Sequence, residues 1–300
     1  MKLFAPKYYQ SFKCIADKCS HSCCIGWEID VDKNALEKYE SLTHAYGKAV
    51  IDSIDYDKTP HFRLCENERC PHLDKKGLCK IITELGEDYL CEICREHPRF
   101  YNDTPEGKEV GLGMACQEAC RIILESNDYD EMIEIEELEG EAQPFDFDPV
   151  STRKYIYSVL SSQEIPYTDR LVRLYGEFGI SPNMLTAEQW KTVISELEYL
   201  DESHKELFLS YSSELGSLGA KDIYFERALA YFIYRHTSEA YDEVDFLARL
   251  GFCLFCERLL YSLSQGDTDR IKDFARIISE EIEYSTDNTE LITEQFENLL

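Results

Sequence analysis

The sequence predicts a mainly α protein in which an irregular, cysteine-rich N-terminal module precedes an acidic, all-helical part. Eleven of the 13 cysteines lie within the first 120 residues, whereas apolar residues in the second half recur at helical spacing. No segment alternates convincingly enough for a parallel sheet, and no strand, glycine-rich turn and helix follow one another as a dinucleotide-binding loop requires. With 300 residues, of which 44% are hydrophobic, the chain can bury a substantial core.

The cysteine clusters have the short gaps typical of metal ligands, and thiolates grouped in this way select zinc, iron or an iron-sulfur centre. The eleven N-terminal cysteines are Cys14, Cys19, Cys23, Cys24, Cys65, Cys70, Cys79, Cys91, Cys94, Cys116 and Cys120. A disulfide scaffold is the alternative, but residues 1–7 lack the apolar run of a signal peptide. We therefore expect a reducing, cytoplasmic compartment and metal ligation. Cys253 and Cys256 lie in an apolar helix and are predicted to pack in the core.

A change of composition marks the predicted domain boundary. Residues 128–149 are rich in glutamate and carry Pro144 and Pro149, so we predict a metal-binding module over 1–127, an acidic linker over 128–149 and a helical domain over 150–300.

Local signals position several helices. Thr186 and Gln189 have the spacing of a capping box, and the longest apolar helices are predicted over about 223–234 and 244–263. In the N-terminal module we expect one helix over about 33–54 and another that starts near Ala115.

The charge is unevenly distributed. Of the formal net charge of -28, residues 1–120 contribute -5 and residues 121–300 contribute -23. Such a field repels nucleic acid and anionic lipid and attracts cationic partners, although it can also serve solubility alone. No apolar run approaches the eighteen residues of a membrane span, so we expect neither a nucleic-acid partner nor a membrane.

Several short strings of residues in the chain, taken together, indicate one protein family. They are Tyr8-Tyr9 with Phe12-Lys13-Cys14, Cys23-Cys24-Ile25-Gly26-Trp27-Glu28-Ile29, Gly77-Leu78-Cys79, Leu90-Cys91 with Cys94-Arg95 and Pro98-Arg99, Tyr234-Arg235-His236, and Glu280-Glu281-Ile282-Glu283-Tyr284-Ser285. In these strings the chain resembles the flagellin lysine N-methylases, whose cysteine-rich domain is described as chelating zinc or iron.

The resemblance implies transfer of a methyl group from S-adenosylmethionine to lysine side chains of flagellin. Tyr234 and Glu283 are then the candidate catalytic residues, and Arg235, His236 and Tyr284 are candidate contacts of the cofactor. A buried hydrogen-bond network between two helices is the structural alternative for these five residues. The neighbouring aromatics Tyr224, Phe225, Tyr231 and Phe232 are predicted to form a core stripe.

The candidate metal ligands are Cys19, Cys23, Cys24, Cys79, Cys91, Cys94 and Cys116, and Cys14, Cys65, Cys70 and Cys120 are weaker candidates. His97 is a further possible ligand, although packing is the commoner role of a lone histidine. Cys91 and Cys94 form the best ligand pair by spacing. We favour a [4Fe-4S] cluster, and a four-thiolate zinc site remains the alternative.

A second class of function is also open at this stage. The chain could be a non-enzymatic iron- or zinc-binding or redox protein with a helical docking domain, and the missing glycine-rich cofactor loop favours that alternative. The polar C-terminal strings, which a metal carrier would not need, favour the methyltransferase.

Overall fold

The computed structural model describes residues 1–142 and 146–300, so Pro144 of the predicted linker lies outside the described residues. Helices dominate these two ranges, and the prediction of a mainly α fold is confirmed. The α-helices are α1 (Lys33–Glu40), α2 (Ala45–Asp52), α3 (Lys80–Leu85), α4 (Glu92–Glu96), α5 (Gln117–Glu125), α6 (Pro149–Leu160), α7 (Tyr167–Phe178), α8 (Ala187–Glu196), α9 (Glu202–Phe208), α10 (Asp222–Thr237), α11 (Glu243–Ser264), α12 (Ile271–Ile278) and α13 (Thr286–Glu297). The strands are β1 (Lys2–Pro6), β2 (Ile29–Asp30), β3 (Ile54–Asp55), β4 (His61–Phe62), β5 (Arg99–Thr104), β6 (Gly107–Leu112) and β7 (Met132–Glu137).

The chain divides into two compact units. Lys13–Pro98 form one, here called the inserted unit, and Met1–Phe12 together with Arg99–Leu300 form the other, here called the main unit. The units therefore divide at positions other than the acidic segment 128–149, and part of that segment forms β7 in the main unit.

The inserted unit combines short helices with a small sheet of strand order β2-β4-β3. The single helix expected over 33–54 is two helices: α1 ends at Glu40, and His44 caps α2 by accepting from Gly47 N at 3.3 Å. Its core is small: ten apolar residues, Cys70 and Cys91 among them, are buried.

The main unit contains a four-stranded sheet of order β5-β6-β1-β7. β1 pairs in parallel with β6 and antiparallel with β7, and β5 and β6 form a hairpin. The sequence pattern does not predict this sheet, since its first strand pairs with partners about a hundred residues further along the chain and each strand is short.

Helices cover the rest of the main unit. α11 is the central helix: 17 of its 22 residues are buried, which explains why it is apolar around its whole circumference. α10, α12 and α13 pack against it or its neighbours. The capping box predicted at Thr186 is present at the start of α8, where the Thr186 side chain accepts from Gln189 N.

One turn of π-helix, Ser279–Glu283, joins α12 to α13. A π-turn has one more residue than an α-turn, and such turns are frequent at functional sites. Here it carries two buried carboxylates, Glu281 and Glu283, which contact different parts of the main unit.

Buried ion pairs connect the helices of the main unit to one another and to the sheet. Arg153 of α6 pairs with Glu109 of β6, and both side chains are at most 5% exposed. Arg170 pairs with Glu226 at 2.7 Å, and Arg258 with Glu257 at 2.8 Å. Each charge is hydrogen-bonded, as buried charges must be.

No helix within the described ranges is long and apolar enough to span a membrane.

Candidate functional site

Five thiols converge in the inserted unit. Cys24, Cys70, Cys79, Cys91 and Cys94 lie in or against its small core, and they are near enough for the charge of one to act on another. We call them the thiol cluster. Their positions come from separate segments: the backbone N–H of Cys70 donates to Cys24 O at 2.8 Å, Cys79 caps α3, and Cys91 caps α4.

Side chains of α1 and the preceding loop hold Cys91 in place. Asp32 caps α1 by accepting from Ala35 N at 3.0 Å, and its other oxygen accepts from Glu92 N at 2.7 Å. The Tyr39 hydroxyl donates to Tyr89 O at 2.7 Å and lies 3.5 Å from Cys91 Sγ. These partners orient the thiol as the outer shell of a metal site orients its ligands.

The protonation of the cluster is uneven. A hydrogen bond from the neighbouring Cys23 thiol lowers the pKa of Cys24 to about 7, whereas burial raises the pKa of Cys70 to about 12. A hydrogen bond with Cys94 lowers the pKa of Cys91, and the same bond raises that of Cys94. Thiols must lose their protons before they can bind a metal, and the lowered pKa of Cys24 and of Cys91 favours that loss at these two positions.

The structure brings together four of the seven predicted ligands, Cys24, Cys79, Cys91 and Cys94. Cys23 is the direct neighbour of Cys24, and Cys19 Sγ donates to His21 O at 3.1 Å. Cys116 belongs to the main unit, where it caps α5. Cys70, a weaker candidate from sequence, lies inside the cluster. Its proximity to Cys24 depends on a backbone hydrogen bond between segments 46 residues apart, which no local spacing reveals.

Of the two histidines near these cysteines, His72 is buried and His97 is partly buried. Burial lowers the pKa of His72 and of His97 to about 4. The ring nitrogens of His72 are bonded to Tyr46 and Ser53 at 3.1 and 3.0 Å, so this side chain is a packing residue.

None of the 13 cysteines, all of which lie in the described ranges, forms a disulfide. Cys253 and Cys256 are fully buried in α11, as expected of core residues.

The main unit contains a cavity of about 430 Å³, here called the acidic cavity. This volume is within the range of small-molecule sites. Its lining includes six carboxylates and only two guanidinium groups within the described residues. The lining residues are Phe100, Asn102, Arg235, His236, Glu239, Asp245, Arg249, Phe252, Glu283, Thr286, Thr289, Glu290, Thr293, Glu294 and Glu297.

Glu283 of the π-turn is at the centre of a buried polar network beside the cavity. Its carboxylate accepts from the Tyr231 hydroxyl at 3.0 Å and lies 2.6 Å from Nε2 of His236. Arg235 Nε is 3.5 Å from the same carboxylate. Burial opposes ionisation of Glu283, but the Arg235 charge and the His236 contact outweigh it and lower the pKa of the carboxyl group.

Aromatic rings surround the two basic members of this network. The Arg235 guanidinium lies between the rings of Phe100 and Tyr284, 5.0 and 4.9 Å from their centroids. The His236 ring packs on Phe252 at 4.6 Å. Burial lowers the pKa of His236, so the imidazole is neutral at pH 7. Because Glu283 is ionised, Nε2 of His236 carries the proton of their hydrogen bond, and Nδ1 is left as the basic nitrogen.

Four of the five residues predicted from the C-terminal strings, Arg235, His236, Glu283 and Tyr284, therefore lie in one network. The Tyr234 hydroxyl is bonded outside this network: it donates to Val110 O at 3.1 Å, and the Arg153 guanidinium lies over the Tyr234 ring. Tyr231, which we predicted to be a core residue, takes the position in the network. Tyr231 lies four residues before Arg235, and this spacing places both side chains on one helix face. It is the sequence signal from which the position of Tyr231 could have been predicted.

The fold and these sites define a mainly helical protein with a thiol-rich inserted unit and an acidic cavity. The flagellar biosynthetic protein FliU of Salmonella muenchen is 31% identical over 134 residues, which cover 42% of this chain and 78% of that protein. Lysine-N-methylases of Salmonella choleraesuis and Salmonella typhimurium are 31% and 29% identical over 134 residues, and the match spans 33% of the length of each. No protein-family model and no solved structure matches the chain.

The chain belongs to the flagellin lysine N-methylase family.

Proposed function

We propose that this protein transfers methyl groups from S-adenosylmethionine to lysine side chains of flagellin. One observation carries the proposal: two polar strings, 47 residues apart, meet beside the acidic cavity, with His236 Nε2 2.6 Å from Glu283 Oε1. The names of the relatives, a flagellar biosynthetic protein and two lysine-N-methylases, support both the reaction and the type of substrate.

The lining of the cavity fits a cationic methyl donor. S-adenosylmethionine would supply an electrophilic methyl group on a positively charged sulfur. Carboxylates and the aromatic residues Phe100 and Phe252 line the cavity, and both kinds of group attract cations. Arg235, His236 and Tyr284 are the proposed contacts of the donor.

The protein's own residues must also remove a proton from the lysine ammonium, because only the neutral amine is a nucleophile. We assign this role to the pair of His236 and Glu283. The neutral imidazole accepts the proton at Nδ1, and the ionised carboxylate stabilises the imidazolium that forms. Tyr231 and Arg235 hold the carboxylate in place. The catalytic role predicted for Tyr234 stays a prediction, since its hydroxyl is bonded to the sheet.

The thiol cluster is the proposed metal centre. Its residues are soft donors from four chain segments: Cys70 and Cys91 are buried, and the other three are partly buried. Five thiols exceed the four ligands that one site needs, so the donor types suit a thiolate-bound metal. We propose a [4Fe-4S] cluster held by four of the five thiols, with zinc as the alternative. The thiols also suit a reducing compartment, and we propose the cytoplasm.

The metal is tested on protein purified without oxygen. A brown solution with a broad visible band and about four irons per chain is the expected result. One zinc per chain and no colour would show that the site binds zinc instead of an iron-sulfur cluster. Protein without bound metal would overturn the proposed metal centre.

The reaction is tested by incubating the protein with S-adenosylmethionine and flagellin from the same cell. Flagellin lysines should gain increments of about 14 Da without an added one-electron reductant, since a polar displacement needs only positioning and proton removal. His236→Gln should lower turnover and leave metal content unchanged. Asp287→Asn removes an acidic charge outside the cavity lining and serves as the control.

Two outcomes contradict the proposal. An absolute requirement for a strong reductant would exclude a polar displacement. Intact metal without any methyl transfer would favour the metal-binding or redox protein that the sequence leaves open.

A further inference from the structure

The four-stranded sheet of the main unit ends at β5 on one side and at β7 on the other. One backbone amide at the edge of β5 is already used, since Asp103 N donates to the Glu239 carboxylate at 3.1 Å. Within residues 1–142 and 146–300, the backbone of β7 forms hydrogen bonds only with β1. β7 is therefore the side on which the sheet can accept a further strand.

The pairing at one end of β7 fixes the direction of the Glu137 backbone. Met1 N donates to Leu138 O at 3.0 Å and Leu138 N donates to Met1 O at 2.8 Å, so these two residues form a hydrogen-bonded pair. In an antiparallel ladder such pairs alternate with pairs that are not hydrogen-bonded. The next pair, Lys2 with Glu137, is of the second kind, and the amide and carbonyl of Glu137 point away from β1.

The same rule applies at the other end of β7, where Lys7 N donates to Glu131 O at 2.8 Å. The following pair joins Met132 to Pro6, which has no amide hydrogen. Alternation then makes Glu134, two residues further along β7, a member of another pair without hydrogen bonds. The amides and carbonyls of Met132 and Glu134 thus point outward like those of Glu137.

The chain around this edge carries a single sign of charge. Residues 128–141 contain eight carboxylates and no lysine or arginine. Lys2 and Lys7 neutralise part of this charge through ion pairs. Four exposed carboxylates form no ion pair within the described residues: Glu136, Glu137, Glu139 and Glu141. The field of these groups attracts cations.

The unpaired edge and its charge together define the partner. A second copy of this chain would bring the glutamates of one β7 opposite those of another, and like charges at that position are destabilising. An extended segment with lysine or arginine at alternate positions would form main-chain hydrogen bonds with the edge and opposite-charge pairs with its side chains.

We infer that the outer edge of β7 is a docking site for an extended, cationic segment of another polypeptide, which joins the sheet as a fifth strand. The inference is independent of the proposed function, because the edge and its charges belong to the fold and lie outside the lining of the acidic cavity.

The test measures binding of three synthetic peptides to the full chain by calorimetry. The first peptide alternates lysine and valine over the length of β7 and is blocked at both ends. The second has the same sequence with every backbone amide nitrogen methylated, which keeps its charge and removes its main-chain donors. The third has glutamate in place of lysine. We expect the first peptide to bind at least about tenfold more tightly than either of the others.

Amide hydrogen exchange locates the contact. In the free protein the amides of Met132, Glu134 and Glu137 should exchange quickly, whereas that of Ile133, which faces β1, should be protected. A saturating concentration of the lysine peptide should slow exchange at the three outward amides and leave Ile133 unchanged.

Glu134→Pro removes an outward donor that the ladder does not use, and it should weaken binding of the lysine peptide by about tenfold. Glu134→Gln is the matched control: it also loses the exposed ion pair with Lys2 but keeps the donor, so the loss should be less than about threefold. If the proline variant does not fold, the comparison of the methylated and unmethylated peptides still decides the question.

Equal binding of the methylated and unmethylated lysine peptides would overturn the inference of strand addition. Absence of binding by both would also overturn it, and would leave the glutamates as protection of the edge against pairing. Dimers of the unliganded chain that form at high concentration and are lost in Glu134→Pro would identify a second copy as the partner and contradict the cationic segment.

Discussion

The inserted unit and the main unit reach a folded state by different means. In the inserted unit, residues 13–98 bury ten apolar side chains in one small core, and two of these are cysteines. In the main unit, α11 alone has 17 buried residues, and one continuous core extends from the sheet to α13. Burial of a large apolar side chain contributes roughly 1.5 to 3 kcal/mol. The main unit can therefore fold on apolar burial, whereas the inserted unit has a much smaller apolar core, to which two thiols belong.

The comparison suggests that thiols replace apolar residues where elements are short. α3 and α4 have six and five residues, too few to be stable alone, and each begins at a cysteine of the thiol cluster. Ligation of those cysteines would fix both helices at once.

Metal removal should unfold the inserted unit and leave most of the helices of the main unit intact. Thiolate ligation of a structural metal is worth roughly 10 to 16 kcal/mol, far more than a small core supplies. Circular dichroism before and after chelation, with limited proteolysis to find the cleavage sites, measures the effect. Cleavage confined to 13–98 is expected. An unchanged melting profile would show that the cysteines do not stabilise the fold.

The stability of the main unit should depend on its buried ion pairs, because removal of one partner leaves an uncompensated charge in the core. Arg153→Met removes the partner of the buried Glu109 carboxylate and should lower the free energy of unfolding by about 3 to 5 kcal/mol. Denaturant unfolding measures the change. Lys154→Met, at the next position, removes an exposed partner of Glu106 and should cost less than about 1 kcal/mol. Similar losses in both variants would contradict the assignment of Arg153 as a buried structural charge.

Substitution of a cysteine should have different effects in the two units. Cys253→Ala creates a small cavity in α11 and should lower stability by about 1 to 3 kcal/mol with no change in metal content. Cys91→Ser and Cys94→Ser should abolish metal binding. Metal analysis of the three variants is the measurement, and equal metal in all of them would remove these two cysteines from the list of ligands.

The smallest effect expected is a dependence on pH at the π-turn. A hydrogen bond to Glu281 at 2.6 Å raises the pKa of His204 above its usual 6.5. The charged pair is then fully formed below the unfolded pKa of about 6.5, and its stabilisation is lost as the pH rises through the higher folded pKa. As the pH rises from about 6.5 through the folded pKa of His204, the melting temperature should fall. In His204→Gln this fall should be smaller. A fall of the same size in the variant would mean that another group titrates there.

Local signals in the sequence predicted local structure well. The capping box at Thr186 and the apolar run of α11 are correct because each depends on neighbours within a few residues. The Cys91 and Cys94 pair lies in the thiol cluster as its spacing indicates.

What the sequence did not predict depends on distant contacts. The pairing of β1 with β6 and the approach of Cys70 to Cys24 join segments that share no local pattern.

The position of the inserted unit within the chain has a consequence for synthesis. β1 leaves the ribosome before the inserted unit, but its partners β6 and β7 emerge only after the whole of that unit. We expect the nascent inserted unit to acquire the proposed metal while β1 still lacks neighbours. The order of translation would thus make metal supply an early event, and iron or zinc starvation during growth should leave nascent chains with an unpaired first strand, the kind of edge that favours aggregation.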